Sequence, residues 1–415
     1  MTIPKLLHRL IRAWLSSATD RYRTVSRPRR RMFLGATTSV CSLLLVVLAL
    51  TRPSSIGTPP DAVHPTSLNP NATYIFPTQR GYTVLFESRP DVYSLVELDA
   101  QGKAPSPSRK IQVSDSVSAA RIGERLFIAF GRNRNRDEDA EPFMDDLSVW
   151  RYSPANGELV ETFLLAKQAV HHEAGPKILT WKDGTFSVLW GTFNGVIAAR
   201  DFDVNGAPVG STRRSPPHGD NSAMFEVAPL GDTHLGVLAV RKASSGSVAL
   251  LLFAGLDRSN FPAPRVLVDD IGNGWGQLAM AVVPGARESG VVWQSAGKTR
   301  LWFARVNESG FVDKPLLVQE STSTIMIHTF AAGSDGFQLT WGGFLIGMKT
   351  ASFSPDGRLL GPPQTARGTV FRPAVAWNGK HWFFAESTAR DSFCSLHTGR
   401  LTADMGDVIE RHCAF

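Results

Sequence analysis

Two imidazoles beside a carboxylate, His171-His172-Glu173, are the sharpest chemical feature of this chain of 415 residues. Such a trio can pass protons near neutral pH or contribute metal ligands. Other chemistry-bearing residues recur at similar intervals: Asp115 and Ser116, Asp220 and Asn221, Trp275 and Gln277, His328, and Arg372. Trp275, flanked by Gly274 and Gly276, can stack on a sugar ring or another flat ligand, or pack between structural units. Glu173 with Asp220 would supply the two carboxylates of a glycosidase, given a fold that spaces them correctly. No Cys/His spacing matches a zinc site, so no metal ligand and no cofactor is assigned. The chain also lacks a Gly-x-Ser-x-Gly elbow, a phosphate loop and a His-Glu-x-x-His helix signature.

A second charged stretch runs from Arg132, Arg134 and Arg136 into Asp137, Glu138, Asp139, Glu141, Asp145 and Asp146. Its carboxylates are not spaced as in an EF-hand loop. The expectation is a solvated insertion between two strands of one unit.

The elements that must position these residues are strands. From about residue 72, short alternating apolar runs are separated by Gly, Asp, Asn and Pro, and no long run has a helical period. One unit reads Ile178–Trp181, a turn at Asp183-Gly184, Phe186–Trp190, then Gly195–Phe202 and a turn at Asp203–Gly206. The last unit repeats this with Pro373–Trp377, the turn Asn378-Gly379, His381–Ala385, Phe393–Leu401, and Val408–His412 after a turn at Asp404–Gly406. The turn before the fourth strand ends at Gly102, Gly157, Gly206, Asn260, Gly310, Gly357 and Gly406, at intervals of 47 to 55 residues. A residue at positive φ is expected in each such turn.

Four-stranded meanders of about 50 residues, repeated radially, build a β-propeller. The expected fold is therefore all-β, with seven blades and six or eight as the alternatives, spanning residues 72–415. In its repeat grammar, with blades ending in an Asp-x-x-Gly turn, the domain resembles bacterial extracytoplasmic propeller proteins. That resemblance implies a ligand-binding scaffold, an assembly platform or, less often, a hydrolase. In a propeller, residues leading into each inner strand line one mouth of the central channel. Asp115, Ser116, His171, His172, Glu173, Asp220, Asn221, Trp275, Gln277, His328 and Arg372 are expected there.

The charge map excludes a nucleic-acid function. Residues 1–52 hold ten Lys/Arg against Asp20 alone, whereas the whole chain is only +7, leaving the rest at about −2. The basic tail, residues 1–31, abuts the uncharged run Met32–Leu50, which just spans the ~30 Å of a bilayer core as a helix. Arg27, Arg29, Arg30 and Arg31 place the tail in the cytoplasm and the large domain outside. The junction Arg30-Arg31-Met32-Phe33-Leu34-Gly35 resembles a twin-arginine export signal. Gly35 stands where a polar residue is usual. Val47-Leu48-Ala49 is a weak cleavage site, so the expectation is a single-pass anchor, with a soluble exported form if cleavage occurs. Leu6, Leu7, Leu10, Ile11, Trp14 and Leu15 fit a short helix on the inner membrane surface. Residues 51–71 are a Pro-rich linker.

Cys394 and Cys413 both fall in the last unit. In an exported domain they are expected to form a disulfide, worth about 3 kcal/mol in the chain-entropy model. The functional expectation is a membrane-tethered propeller that binds a protein partner or an envelope glycan without catalysis. The alternative is a carbohydrate-active hydrolase or lyase working through His171, His172 and Glu173.

Overall fold

A computed structural model describes residues 73–365 except 79–80, 90–91, 100–108, 113–116, 133–143, 172–174, 193–194, 220, 243–244, 273–275, 296 and 344–347, together with 371–377, 382–387 and 397–398. All regular structure described is β. The first sheet comprises β1 (Thr73–Pro77), β2 (Gly81–Arg89), β3 (Val92–Asp99) and β4 (Arg109–Gln112). The second comprises β5 (Val117–Ile122), β6 (Arg125–Arg132), β7 (Met144–Ser153) and β8 (Glu158–His171). The third comprises β9 (Lys177–Thr180), β10 (Phe186–Gly191), β11 (Ile197–Phe202) and β12 (Pro208–Arg214). The fourth holds β13 (Asn221–Leu230), β14 (Thr233–Arg241), β15 (Val248–Leu256) and β16 (Arg265–Val268).

The fifth sheet has β17 (Leu278–Val282), β18 (Ser289–Ser295), β19 (Arg300–Asn307), β20 (Gly310–Phe311) and β21 (Leu316–Glu320), the last two both pairing with β19. The sixth has β22 (Met326–Gly333), β23 (Gly336–Gly342), β24 (Lys349–Phe353) and β25 (Gln364–Thr365). A final sheet has β26 (Phe371–Trp377), β27 (Trp382–Ser387) and β28 (His397–Thr398). Every sheet is an antiparallel meander in chain order. The first strands pack in sequence, β5 on β9, β9 on β13, β13 on β17, β17 on β22 and β22 on β26, and β1 packs on β26. This is the β-propeller topology, with each first strand innermost.

The repeat period was thus a true guide to the blades, but not to a full set of seven. Six sheets have four or more strands; the last has three among the described residues. The expected fourth strand at Val408–His412, Cys394, Cys413 and the whole of residues 1–72 lie outside the described residues. No helix among the described residues is long and apolar enough to cross a membrane.

The blades form where alternation lets both faces bury. Five apolar clusters fill the junctions between successive sheets from the first to the sixth. In β10 all six residues are buried, with Phe186, Val188 and Trp190 turned to the second sheet and Leu189 to the fourth. The recurrent turns are built by their first residue. Asp203 Oδ1 accepts from the Asn205 and Ala207 amides at 2.8 Å each, and Asn307 Oδ1 from Ser309 N at 2.8 Å. Gly206 and Gly357 then take φ of 86° and 79°. Asn260 does not follow the positive-φ expectation: among non-glycine residues described, only Lys298 has positive φ. There Asp257 Oδ1 holds the turn by accepting from Ser259 N at 2.7 Å and Asn260 N at 2.9 Å.

The charged insertion lies between β6 and β7, as expected. Asp145 and Asp146, however, belong to β7, and Asp146 is buried beside the strand pair rather than solvated.

Candidate functional site

The innermost strands carry a collar of polar links between neighbouring blades. Tyr74 on β1 donates its hydroxyl to the Val117 carbonyl of β5. Ser118 on β5 accepts from the Ile178 amide of β9 at 3.1 Å. Lys177, which opens β9, reaches Glu226 on β13 with Nζ and Oε1 2.6 Å apart. Gln277, just before β17, accepts on Oε1 from the Ile327 amide of β22 and, at 3.1 Å, from Gln294 Nε2. Gln294 in turn donates to the Ile325 carbonyl and accepts from the Gln277 amide at 2.8 Å. The Gln277–Gln294 pair lies within the fifth blade; every other link joins one blade to the next.

Register explains why these side chains meet. Cross-strand partners share a face, and in each sheet one row faces the following blade. The rows are Tyr74-Leu85-Leu95, Ser118-Ala129-Val149, Lys177-Leu189-Ala199, Met224-Ala239-Leu250, Ala279-Val292-Phe303 and Thr329-Thr340-Thr350. The first member of each row sits on the innermost strand, against the next blade's innermost strand. Tyr74, Ser118 and Lys177 are the polar ones that make the links above.

The charged link is the most constrained. The Lys177 and Glu226 side chains are 15% and 7% exposed. Burial pushes the Glu226 carboxyl up, and the Lys177 ammonium opposes that shift. Burial also raises the Tyr74 phenol well above its ordinary range, helped by Tyr93 and by the Glu226 charge. Tyr74, Lys177 and Glu226 thus form one electrostatic group drawn from the first, third and fourth blades. Chemically it is a neutralised ion pair beside a protonated phenol.

The residues selected from sequence are distributed as follows. Asn221 opens β13, Gln277 precedes β17, His328 sits third in β22 and Arg372 second in β26, so these four occupy the starts of successive innermost strands. His328 and Arg372 lie within register shifts, between Ile327 and Thr329 and between Phe371 and Ala374. The bulge in β22 re-aims the side chains of that strand. His171 ends β8, an outermost strand, opposite Met144. The Gln277 carboxamide is engaged in the collar. Asp115, Ser116, His172, Glu173, Asp220 and Trp275 lie outside the described residues. Among the described residues no group of three His, Cys, Asp or Glu side chains could hold a metal ion.

Sequence reasoning missed Tyr74, Lys177 and Glu226. A signal was present: Glu226 stands between Phe225 and Val227, within the otherwise apolar run 223–230 of an innermost strand. Lys177 and Glu226 are 49 positions apart, one repeat period.

At the far ends of the innermost strands a second polar group caps the third blade. Trp181 Nε1 donates to Ser187 Oγ at 2.8 Å, and Arg213 donates to Asp201 at 3.0 Å. The Arg258 guanidinium lies 5.1 Å from the Trp181 ring centre and donates to Asp183 Oδ1 at 2.6 Å. His234 meets the Trp181 ring edge-on, with centroids 4.6 Å apart. Burial lowers the His234 imidazole to about 4, with a hydrogen bond to the Thr180 backbone opposing the shift.

Several solved structures share the general architecture. They include hydrazine synthase of Kuenenia stuttgartiensis, at 11% identity over 84% of this chain and 99% of that chain with a TM-score of 0.49. The periplasmic gluconolactonase of Pseudomonas aeruginosa matches at 12% identity, 78% of this chain, 90% of that chain and a TM-score of 0.47. The Dos1 propeller matches at 11% identity, 75% of this chain, 80% of that chain and a TM-score of 0.44. Likenesses this distant carry no functional argument; the fold rests on the strand order itself. No protein-family model matches the chain, and no curated protein matches it in sequence.

Proposed function

We propose that this chain is a membrane-tethered, extracytoplasmic β-propeller that binds a protein partner or an envelope glycan without catalysis. The observation that carries this reading is the collar. Its acid and base, Lys177 and Glu226, bind each other at 2.6 Å across a blade junction, and Gln277 joins two further blades. Polar groups nearest the axis therefore serve to hold a rigid ring, which suits a scaffold presenting loops at its mouth. Asn221, His328 and Arg372, at the starts of innermost strands, are the proposed ligand contacts, together with His171, His172, Glu173, Asp220 and Trp275.

The tether is the uncharged run 32–50 with its arginine flank, with Arg30, Arg31, Phe33 and Leu34 as the export signal. It puts residues 1–31 inside and the propeller outside a cell membrane. We read the sheet of β26–β28 as a seventh blade; the packing of β26 on both β22 and β1 supports this.

A thermal-shift panel of envelope glycans, with the full chain in detergent and turnover followed in parallel, tests the reading. Pull-down from envelope extract covers protein partners. Ligand-dependent stabilisation or partner capture without turnover is expected. Turnover lost in His172→Ala and Glu173→Ala would replace the scaffold by a hydrolase.

A further inference from the structure

The junction between the second and third blades is rich in cations and poor in acids. Four arginines face it. Two come from the second blade: Arg151 pairs with Phe127 across β6 and β7, and Arg125 stands two positions before Phe127 on β6. Two come from the third: Arg200 pairs with Val188, and Arg214 with Ala198. Phe127, Val188 and Ala198 all belong to the apolar cluster between these blades, and cross-strand partners share a face. Arg200 reaches across the junction, its guanidinium 5.8 Å from the centre of the Phe163 ring on β8.

Among the described residues no carboxylate answers these charges. Arg125 Nη1 donates to Asn205 Oδ1 at 2.7 Å and to the Val204 carbonyl at 3.3 Å, and Arg151 Nη1 donates to the Asn205 carbonyl at 3.3 Å. All three acceptors are neutral. Neither Arg200 nor Arg214 takes part in an ion pair. The Nε atoms of Arg151 and Arg200 are buried and have no hydrogen-bond partner. Glu158, at the foot of β8, is the described carboxylate on these faces; it is exposed and forms no ion pair. Asp203 is held by the amides of its own turn. The next junction is balanced instead: Arg213 meets Asp201 at 3.0 Å, Arg258 meets Asp183 at 2.6 Å, and Lys177 meets Glu226. Like charges at neighbouring positions repel, and an unpaired buried donor on a charged group is costly. A bound anion removes both penalties.

We infer that this wall of the propeller, between β8 and β12, binds a carboxylate-bearing sugar polymer through Arg200 and Arg214. β8 and β12 are the outermost strands of their blades, so the site lies on the side of the ring and not at its mouth. A guanidinium stacked on a ring keeps its edge free, and that planar fork matches a carboxylate with two parallel hydrogen bonds. Arg214 is exposed and adds a second cation on the same face, which suits a polymer charged on successive units. The carboxylate class rests on the glycan reading above; the place does not.

Titration of the full chain in detergent with oligogalacturonate at low ionic strength tests this, with neutral dextran and inorganic polyphosphate as comparison arms. Oligogalacturonate is expected to bind, dextran is not, and added salt is expected to weaken the binding. Arg200→Gln combined with Arg214→Gln is expected to weaken it about tenfold. Arg213→Gln removes a charge one position from Arg214, on the opposite face, and is expected to leave the affinity unchanged. Arg214→Gln alone alters an exposed side chain; it is expected to weaken binding about threefold and carries the test if the double variant does not fold. Equal loss in Arg213→Gln would mean bulk charge attraction and overturn the inference. Oligogalacturonate binding that survives the double variant would overturn it too, while leaving a glycan site at the mouth. So would binding of polyphosphate without oligogalacturonate, or binding of neither.

Discussion

Lys177 and Glu226 join the innermost strands of the third and fourth blades, with Nζ and Oε1 2.6 Å apart and both side chains largely withdrawn from water. An ion pair so placed gains little over an apolar pair, because each charge gives up hydration to enter the site. Its loss by halves is another matter. Glu226→Ala leaves the Lys177 ammonium without its counter-charge and is expected to cost about 3 kcal/mol of unfolding free energy. Lys177→Met combined with Glu226→Leu should recover most of that loss. Urea unfolding of the three variants checks the order; a double variant as weak as the single one would refute this account.

His234 links acid sensitivity to the junction of the third and fourth blades. Its imidazole is buried, edge-on to Trp181, and is pushed down to about 4. An unfolded histidine titrates near 6.5. Between these values the unfolded chain binds more protons, so stability is complete above about pH 6.5 and falls as the pH drops toward about 4. The full loss is about 3 kcal/mol for this group. His234→Phe is expected to flatten the pH dependence of the melting temperature across that window while carboxylate-driven loss below it persists.

The blade pattern was legible because its causes are local. Alternation marks a strand that buries both faces, and an Asp or Asn that caps its own turn can be read without knowing the fold. The collar was illegible for the same reason. Tyr74, Lys177 and Glu226 gain meaning only when residues one or more periods apart meet, and they stand on the strands themselves rather than on the loops entering them, where propeller chemistry is expected. Gln277 was selected as a ligand contact, and its amide oxygen is spent on Ile327 and Gln294. Sequence shows which side chains can bond, but the partner is set by the neighbouring blade. The arginine cluster was hidden too, since only register shows that Arg151, Arg200 and Arg214 face one junction.

Gln294 is 0% exposed and satisfies three groups at once: the Gln277 amide, the Gln277 side-chain oxygen and the Ile325 carbonyl. Gln294→Leu keeps the volume but strands those partners, at about 3 kcal/mol in total. Gln294→Glu keeps the acceptor for the Gln277 amide while removing the donor, and should be as costly near neutral pH. Chemical unfolding measures both; a neutral Gln294→Leu would mean that water enters and replaces the amide.

Gly336 closes the hairpin between β22 and β23 opposite Gly333, at φ 129°. A Cβ at that position would stand 1.9 Å from the Phe353 carbonyl oxygen of the third strand. Neither the backbone angle nor the neighbour can yield cheaply, since the oxygen belongs to the ladder that holds β24. Gly336→Ala is expected to destabilise the sheet by about 3 kcal/mol or more. Gly231 offers the comparison: it has φ 63° in the β13–β14 turn, and an added Cβ would meet nothing within 4 Å. Gly231→Ala should therefore cost only the left-handed backbone penalty, about 1 kcal/mol. Melting temperatures of the two variants separate clash from backbone strain. Equal losses would mean that Phe353 moves aside and that the hairpin end of the sixth blade is softer than its burial indicates.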